Sequence, residues 1–440
     1  MESSTAASTV AAADDLVTLA FSRQDLERTG RPEQNADINR RHVSVWADIP
    51  QDTAAVAVVS RALVPFLLTS LKTLAAEMAL APATVVVLVP WKQPPECDTR
   101  PDGVVDSFLC DAETFRSIRG PARYTSPTKW CFTLLDGILN GRFANDRLVV
   151  RQLPSPQRRS PWRLEARTAL IMGHRGNPRH LATALQSIAS ADDAPRVHMR
   201  VGLDVDALHG YEQIRERFPQ VTFCHVEPAP AGVYAIRQHF LECLSEDYFY
   251  LQDSDDASCS DRFTSQFDEL RRSGAHLVGC HELRVDEISG TVEALRLPLD
   301  VNKALSRGYS ESLLGGTALG VRQAVMRVGG YSTDQRIAND TQFLLRAYFV
   351  LRMRNVDGFF YIRRRHKASL TMAPATGLGT PLREGLRATW ARDFEAILRG
   401  ALDVKHSALV PMRSEIDHRF HEWSAPEDAS ASGADAVQAW

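Results

Sequence analysis

Apolar residues fall into short runs separated by amphipathic stretches, a pattern that predicts strands alternating with helices. Val56-Ala57-Val58-Val59 and Val85 to Val89 read as buried strands, with a proline-started amphipathic helix, Pro65 to Met78, between them. Together they form one βαβ unit. A loop from Lys92 to Gly103 follows, then a helical patch near Ala112 to Ile118, a helix around Thr128 to Leu139 and a strand from Leu148 to Arg151. The pattern then restarts with strand Ala169 to Met172, helix Arg179 to Ala189, strand Val197 to Leu203 and helix Tyr211 to Phe218. Strand Val221 to Val226, helix Val233 to Leu244 and strand Tyr248 to Leu251 continue it. Alternation at this spacing predicts a largely parallel sheet. Later come helix Arg262 to Gly274, strand His276 to Cys280 and a glycine-flanked strand Leu313 to Gly320. A helix opening at Ile337 to about Leu351, a strand Phe359 to Ile362 and a helical segment Leu382 to Leu402, with a second to Trp423, complete the pattern.

The Pro, Arg and Ser-rich stretch Leu153 to Pro161 marks a domain boundary. The chain therefore divides into a loosely attached or disordered 1–40, a smaller accessory α/β domain over 41–152 and a linker over 153–165. A main α/β domain over 166–375, a helical C-terminal segment over 376–424 and a disordered tail over 425–440 follow. Strand, turn, proline-started helix and strand occur twice, around Pro65 and around Pro178, an echo that either duplication or generic α/β architecture produces. The first copy has no acidic strand end, since Leu148-Val149-Val150 runs into Arg151-Gln152.

Composition narrows the class. The 440 residues are 44% hydrophobic and 24% charged, enough for two cores, and a net charge of -3 gives no electrostatic case for nucleic acid or a membrane as partner. Seven scattered cysteines without a C-x-x-C pair read as reduced thiols, so a cytoplasmic location is expected. The Ser, Thr and Ala-rich start is not a signal peptide. The longest apolar stretch, Met78 to Pro90, is broken by Pro82 and too short to span a bilayer, so no membrane insertion is expected.

Chemistry concentrates where the apolar run Tyr248 to Leu251 stops in Asp253, Asp255 and Asp256. The carboxyl end of a strand is where open α/β sheets place their ligand crevice. Asp253 and Asp255, two apart, fall on one side of an extended backbone and can share a hard cation such as Mg²⁺ or Mn²⁺. A bare pair of this kind more often closes a strand as a polar turn. A helix-loop-helix calcium loop is excluded, because Ala257, Ser258 and Thr264 stand where a ligand, a glycine and the bidentate Glu belong. Asp256 reads as a turn former. The run Arg363 to Lys367 is either a solvated charge cluster or a phosphate-facing strand end, and it carries His366, a further candidate metal ligand.

Taken in order, these features resemble family-2-type glycosyltransferases of the GT-A fold over roughly Arg167 to Thr371. The resemblance rests on the opening strand with its proline-started helix, a second strand ending in Asp204 and the strand closing in Asp253-x-Asp255. Val328-Gly329-Gly330-Tyr331 and the acidic opening of the next helix, Asn339-Asp340 where the family usually has Glu-Asp, complete it. It implies a Rossmann-like, largely parallel GT-A domain preceded by the smaller α/β domain and followed by the helical segment. It also implies that Asp204 binds the nucleoside of a nucleotide-diphosphate sugar, that Asp253 and Asp255 hold Mn²⁺ or Mg²⁺ on its diphosphate, and that Asp340 is the general base of an inverting transfer. The opening turn departs from the usual Tyr-Asn-Arg-Pro: Gly173-His174-Arg175 stands there as the donor-binding candidate. Ile236-Arg237-Gln238 replaces the usual Arg-Asn pair, with Arg237 assigned to the diphosphate. Asp206 shares the nucleoside role or caps the following helix.

Asp340 also has a plain reading, because Asn339 or Asp340 suits a helix N-cap. Yet Asp340, Phe343, Leu344, Ala347 and Leu351 share one helical stripe, which turns the carboxylate toward the buried face. Two other functions compete: a sugar-phosphate nucleotidyltransferase, which would want a Gly-rich basic phosphate loop after an opening strand, and a non-catalytic degenerate transferase that binds a carbohydrate or a partner. Neither Ser60-Arg61-Ala62-Leu63 nor Gly173-His174-Arg175-Gly176 supplies such a loop. The acceptor class (glycan, secondary metabolite or protein), the sugar, the base and the oligomeric state are not legible in the sequence.

Overall fold

The computed structural model describes residues 16–22, 53–60, scattered positions between 63 and 78, 84–90, 92–96, 101–119, 129–143, 147–153 and 167–423. The expected linker beyond Leu153 and the expected disordered tail lie outside the described residues.

The first part of the chain contributes β1 (Leu16–Ser22), β2 (Thr53–Ser60), β3 (Thr84–Pro90), β4 (Pro101–Val104), β5 (Ser107–Asp111) and β6 (Arg147–Leu153), with helices α1 (Ala112–Arg119) and α2 (Trp130–Leu139). Its sheet runs β1-β2-β5-β3-β6. Two expectations change here. Leu16–Ser22, placed in the loosely attached segment by the sequence reading, pairs antiparallel with β2 as an edge strand. The βαβ unit is split, because β5 inserts antiparallel to both β2 and β3. Ser107–Asp111 is buried up to its last residue, and only a central sheet position covers both of its faces.

The second part supplies β7 (Thr168–His174), β8 (Val197–Leu203), β9 (Thr222–Glu227), β10 (Tyr248–Leu251), β11 (Ala257–Ser258), β12 (Leu277–Asp286), β13 (Thr291–Leu295), β14 (Leu319–Val321), β15 (Met353–Arg365) and β16 (Arg419–Glu422). Their order is β11-β15-β12-β14-β10-β7-β8-β9-β16, with β13 on β12 and β4 of the first part added on β13. The helices are α3 (Pro178–Ala189), α4 (Glu212–Arg217), α5 (Val233–Cys243), α6 (Arg262–Ser273), α7 (Val301–Ser306), α8 (Arg322–Arg327), α9 (Asn339–Ala347) and α10 (Pro381–Leu398). The block β9-β8-β7-β10 is parallel, as the alternating pattern requires. Beyond it the sheet is mixed rather than largely parallel: β14 lies antiparallel between β10 and β12, and a strand of three residues leaves no periodic signal to read. The expected second terminal helix is absent among the described residues. Arg419–Glu422 instead lies antiparallel on the β9 edge.

Local chemistry explains the start of the parallel block. Asn177 accepts the Arg179 N–H (3.0 Å) and Pro178 occupies the first turn of α3, so the helix begins there. Its Leu181, Ala184, Leu185 and Ile188 form the buried stripe. Gly173 and Gly202 face one another across β7 and β8. A methyl group at Gly202 would stand 2.6 Å from Ile236 Cγ2, so glycine lets α5 lie against the sheet.

The two parts share a core. One apolar cluster joins Val58, Val87 and Phe108 of the first sheet and Trp130 and Leu135 of α2 to Leu283, Phe359 and Ile362 of the second sheet. A buried Arg296 adds polar links, pairing with Asp102 and donating to Gln152 and to Pro90 O (2.7 Å). Apolar burial therefore joins the first part of the chain to the second. Among the described residues no helix is long and apolar enough to cross a membrane.

Candidate active site at the ends of β7 and β10

Strand order reverses between β7 and β10, and the crevice of an open α/β sheet lies at the carboxyl ends of such strands. The acidic turn leaves β10 at that point. Arg262, fully buried, fixes the strand end by donating to Leu251 O (2.8 Å), Gly316 O (3.2 Å), Gln252 Oε1 (3.1 Å) and Ser258 Oγ (2.9 Å).

The three carboxylates then take separate positions. Asp253, partly open to the crevice, receives Arg237 Nη2 on Oδ1 (2.7 Å), and its backbone N–H donates to Tyr361 Oη (3.0 Å). Asp255 meets His366 Nε2 through Oδ2 (2.9 Å). Asp256 is buried, accepts the Arg364 N–H (2.8 Å) and closes the turn with its own N–H to Asp253 O (3.3 Å). Its expected turn-forming role agrees with these bonds. Burial lifts the Asp253 carboxyl above the usual carboxylate range; Arg237 pulls it down, while Asp255 and Asp340 add to the rise. Burial acts the same way on Asp255, but the His366 hydrogen bond and charge outweigh it and hold that carboxyl low.

Glycine makes room between these groups. A methyl group at Gly316 would stand 2.9 Å from Asp253 Oδ2 and 2.9 Å from Tyr361 Oη. At Gly315 it would stand 3.2 Å from Arg237 Nη1 and 3.5 Å from Asp340 Oδ2. Gly315 and Gly316 thus form a floor with Asp253, Arg237 and Asp340 around it. Where one strand is expected over Leu313 to Gly320, the chain instead makes a 3-10 turn at Gly315–Thr317 ahead of β14 (Leu319–Val321), and the glycine pair joins the site. The Gly-Gly doublet followed by Thr317 and a short apolar run was the available signal.

Asp340 lies in the first turn of α9, behind Ala338, which occupies the cap position in the left-handed region (φ 60°). A non-glycine residue held there is strained and occurs where the surroundings over-determine it. Asn339 donates to Ser332 O (2.8 Å) and Gln335 O (2.7 Å), pinning the entry of the helix. The plain N-cap reading is therefore not what the structure shows. Asp340 accepts the Thr341 N–H (2.9 Å) with Oδ1, and its charge reaches Tyr234. Burial first, then Asp340, pushes the Tyr234 hydroxyl well above its ordinary value.

The other sequence candidates serve the frame. Asp204 is buried, and both of its oxygens accept backbone N–H groups, from Ala231 (2.8 Å) and Gly232 (2.9 Å), at the start of α5. His174 is buried between Ser254 Oγ (2.8 Å) and Tyr211 Oη (3.0 Å). Burial lowers its pKa to about 4, so the ring is neutral. Because Tyr211 donates to Gly176 O (3.1 Å), Nε2–H donates to Tyr211 and Nδ1 accepts from Ser254. Gly173 packs under α5. Arg175 donates to Asp204 O (2.9 Å), pairs with Asp206 (3.5 Å) and stays half exposed at the crevice. In Val328-Gly329-Gly330-Tyr331, Gly330 lies against Gln238, which accepts the Tyr331 N–H (2.7 Å). The basic run is mostly matched by acids of the neighbouring strand and turn: Arg363 with Glu282 (3.7 Å), Arg364 with Glu287 (2.7 Å) and Arg365 with Asp286 (2.9 Å).

Among the described residues no group of three or more His, Cys, Asp or Glu side chains is placed to hold a metal ion. Asp253 and Asp255 carry the oxygen donors that a hard divalent ion takes beside waters and a substrate phosphate, and one oxygen of each is engaged, by Arg237 and by His366. Burial is the main cause of the raised Asp253 carboxyl, and the smaller share that comes from neighbouring Asp255 and Asp340 is what such an ion would relieve. His366 is already directed at Asp255 and would have to give up that bond to become a ligand.

No protein-family model matches the chain, and no curated protein matches it in sequence. Among solved structures, part of the chain is similar to the crystal structure of S. aureus TarS 1-349 in complex with UDP-GlcNAc, at 13% sequence identity and TM-score 0.40, covering 52% of this chain and 73% of that one. The same fragment in complex with UDP gives 14% identity and TM-score 0.38 over 54% and 73%. S. aureus TarS gives 12% and 0.38 over 52% and 43%.

Proposed function

We propose that this chain is a GT-A glycosyltransferase that moves a sugar from a nucleotide-diphosphate sugar to an acceptor hydroxyl, with inversion at the anomeric carbon. The observation that carries the reading is the Gly315–Gly316 floor, whose missing side chains let the Arg237–Asp253 ion pair and the separate carboxylate of Asp340 gather against it. Arg237 is buried and remains protonated: desolvation is the largest influence on it, but Asp253, Tyr331, Tyr234 and Asp340 together outweigh it, so it is preorganised for an anionic leaving group. A divalent ion, Mn²⁺ or Mg²⁺, held by Asp253 and Asp255 would supply Lewis-acid neutralisation of the diphosphate. Asp340 takes the proton of the acceptor hydroxyl as its oxygen bonds the anomeric carbon and the bond to the diphosphate oxygen breaks. His366 orients Asp255. Arg175, half exposed beside the Asp204 backbone, is left for the nucleoside, while Asp204 shapes that end of the crevice by holding the start of α5.

Asp340→Asn tests the reading, because it keeps the shape of the side chain and removes the base. A panel of nucleotide sugars assayed with Mn²⁺ first identifies the donor. In the variant, donor affinity should be nearly unchanged and turnover should fall by roughly 10²–10⁴-fold. Full activity of the variant, or a product that keeps the donor's anomeric configuration, refutes the assignment.

A further inference from the structure

The acidic turn is gripped from the first part of the chain as well as from its own sheet. Leu148 of β6 donates its N–H to Ser260 Oγ (3.0 Å), and the Ser260 N–H donates to Leu148 O (2.8 Å). Arg151, also on β6, pairs with Asp261 (2.7 Å). Closer to the carboxylates stands Arg364, whose side chain is only 1% exposed and so faces no substrate. Its Nε donates to Asp255 O (3.1 Å), and its Nη1 to Asn140 Oδ1 (2.9 Å) and Glu287 Oε1 (2.7 Å). Its Nη2 donates to Leu139 O. Its backbone N–H holds Asp256 (2.8 Å). Leu139 and Asn140 end α2, where unpaired carbonyls and the helix dipole favour a cation.

We propose that Arg364 is a positioning residue for the transfer reaction, fastening the backbone of Asp255 to the end of α2 and so making the first α/β part a component of the active site. The inference rests on the functional reading above only for the chemistry that the turn performs. Adjacent carboxylates repel one another and would spread a free turn. A planar guanidinium with five donors fixes several acceptors at once, which a lysine cannot do. Both the turn and the helix end are therefore held to one rigid group.

The test uses the full chain with Arg364→Lys, which keeps the charge but not the fork, and Asn140→Ala, which removes one of the two bonds from Arg364 to the end of α2 and leaves the one to Leu139 O. Hydrogen exchange is followed at the Asp253 and Asp256 amides, together with binding of UDP and GDP in Mn²⁺ by calorimetry. Arg364→Lys should speed exchange in the turn by roughly tenfold or more, the worth of a lost hydrogen bond to a charged group, with β8 and α5 unchanged and nucleotide binding weakened in step. Asn140→Ala should move the same amides less, and it carries the test if Arg364→Lys does not fold. Unchanged turn exchange in a folded variant overturns the proposal, as does a rise spread evenly over the whole chain, which would make Arg364 a stability residue only. If the wild-type chain binds neither nucleotide, the functional reading fails while the exchange comparison still decides for or against Arg364.

Discussion

Gly316→Ala is the sharpest probe of the site, because it adds one methyl group where the geometry leaves no room. That methyl would lie 2.9 Å from Asp253 Oδ2, 3.2 Å from Asp253 Cγ and 2.9 Å from Tyr361 Oη. Tyr361 cannot yield easily: it is buried, and its hydroxyl accepts the Asp253 N–H. Asp253 can rotate only by loosening its 2.7 Å pair with buried Arg237. Overpacking of this kind costs about 1–3 kcal/mol. Against it stands a gain of about 0.4–1 kcal/mol, since Gly316 has no left-handed backbone that alanine would strain and alanine restricts the unfolded chain. Strain wins at Gly316. At Gly315 the nearest atoms are 3.2 and 3.5 Å away, and the two terms come close to cancelling. Urea denaturation should therefore show Gly316→Ala less stable by about 1–2 kcal/mol and Gly315→Ala close to wild type. Calorimetry with UDP and Mn²⁺ should show weakened binding for Gly316→Ala, because Asp253 has moved. A Gly316→Ala protein with wild-type stability and wild-type nucleotide binding refutes the claim that this glycine holds the carboxylate in place.

Two further outcomes follow from burial. His174 has a folded pKa of about 4 against about 6.5 when unfolded, so the unfolded chain binds more protons between those values and stability must fall as pH drops through that window. The loss attributable to this ring is about 3 kcal/mol at most, and His174→Gln should flatten that part of a pH–stability curve; an unchanged slope counts against a buried, neutral His174. A chain beginning at Arg167 should bind a hydrophobic dye and lose near-ultraviolet circular dichroism, because Leu283, Phe359 and Ile362 lose the first part's side of their shared core. A monomeric, cooperatively folding fragment would show that the first part is only an attachment.

The parallel block and its acidic strand end were legible in the sequence, because both rest on local pattern. A strand buried on both faces must be apolar throughout, and Tyr248 to Leu251 meets that demand just before three carboxylates. The proline-started helix at Pro178 was equally plain, since its cap and its apolar stripe lie within a dozen residues. What tertiary structure alone decided was which polar groups meet. Asp204 and Asp253 look alike at the ends of their strands. Yet backbone amides of the α5 entry consume both oxygens of one, while the other faces Arg237 and the crevice. The basic run following Phe359 to Ile362 could not be divided in advance. Its register beside β12 sets Arg365 opposite Asp286, brings Arg363 within ion-pair reach of Glu282 and turns Arg364 inward to the end of α2. The fusion of the two parts was hidden for the same reason. An apolar strand announces that it will be buried, but not which surface will cover it, because hydrophobic attraction is non-directional and only the packed fold chooses the partner.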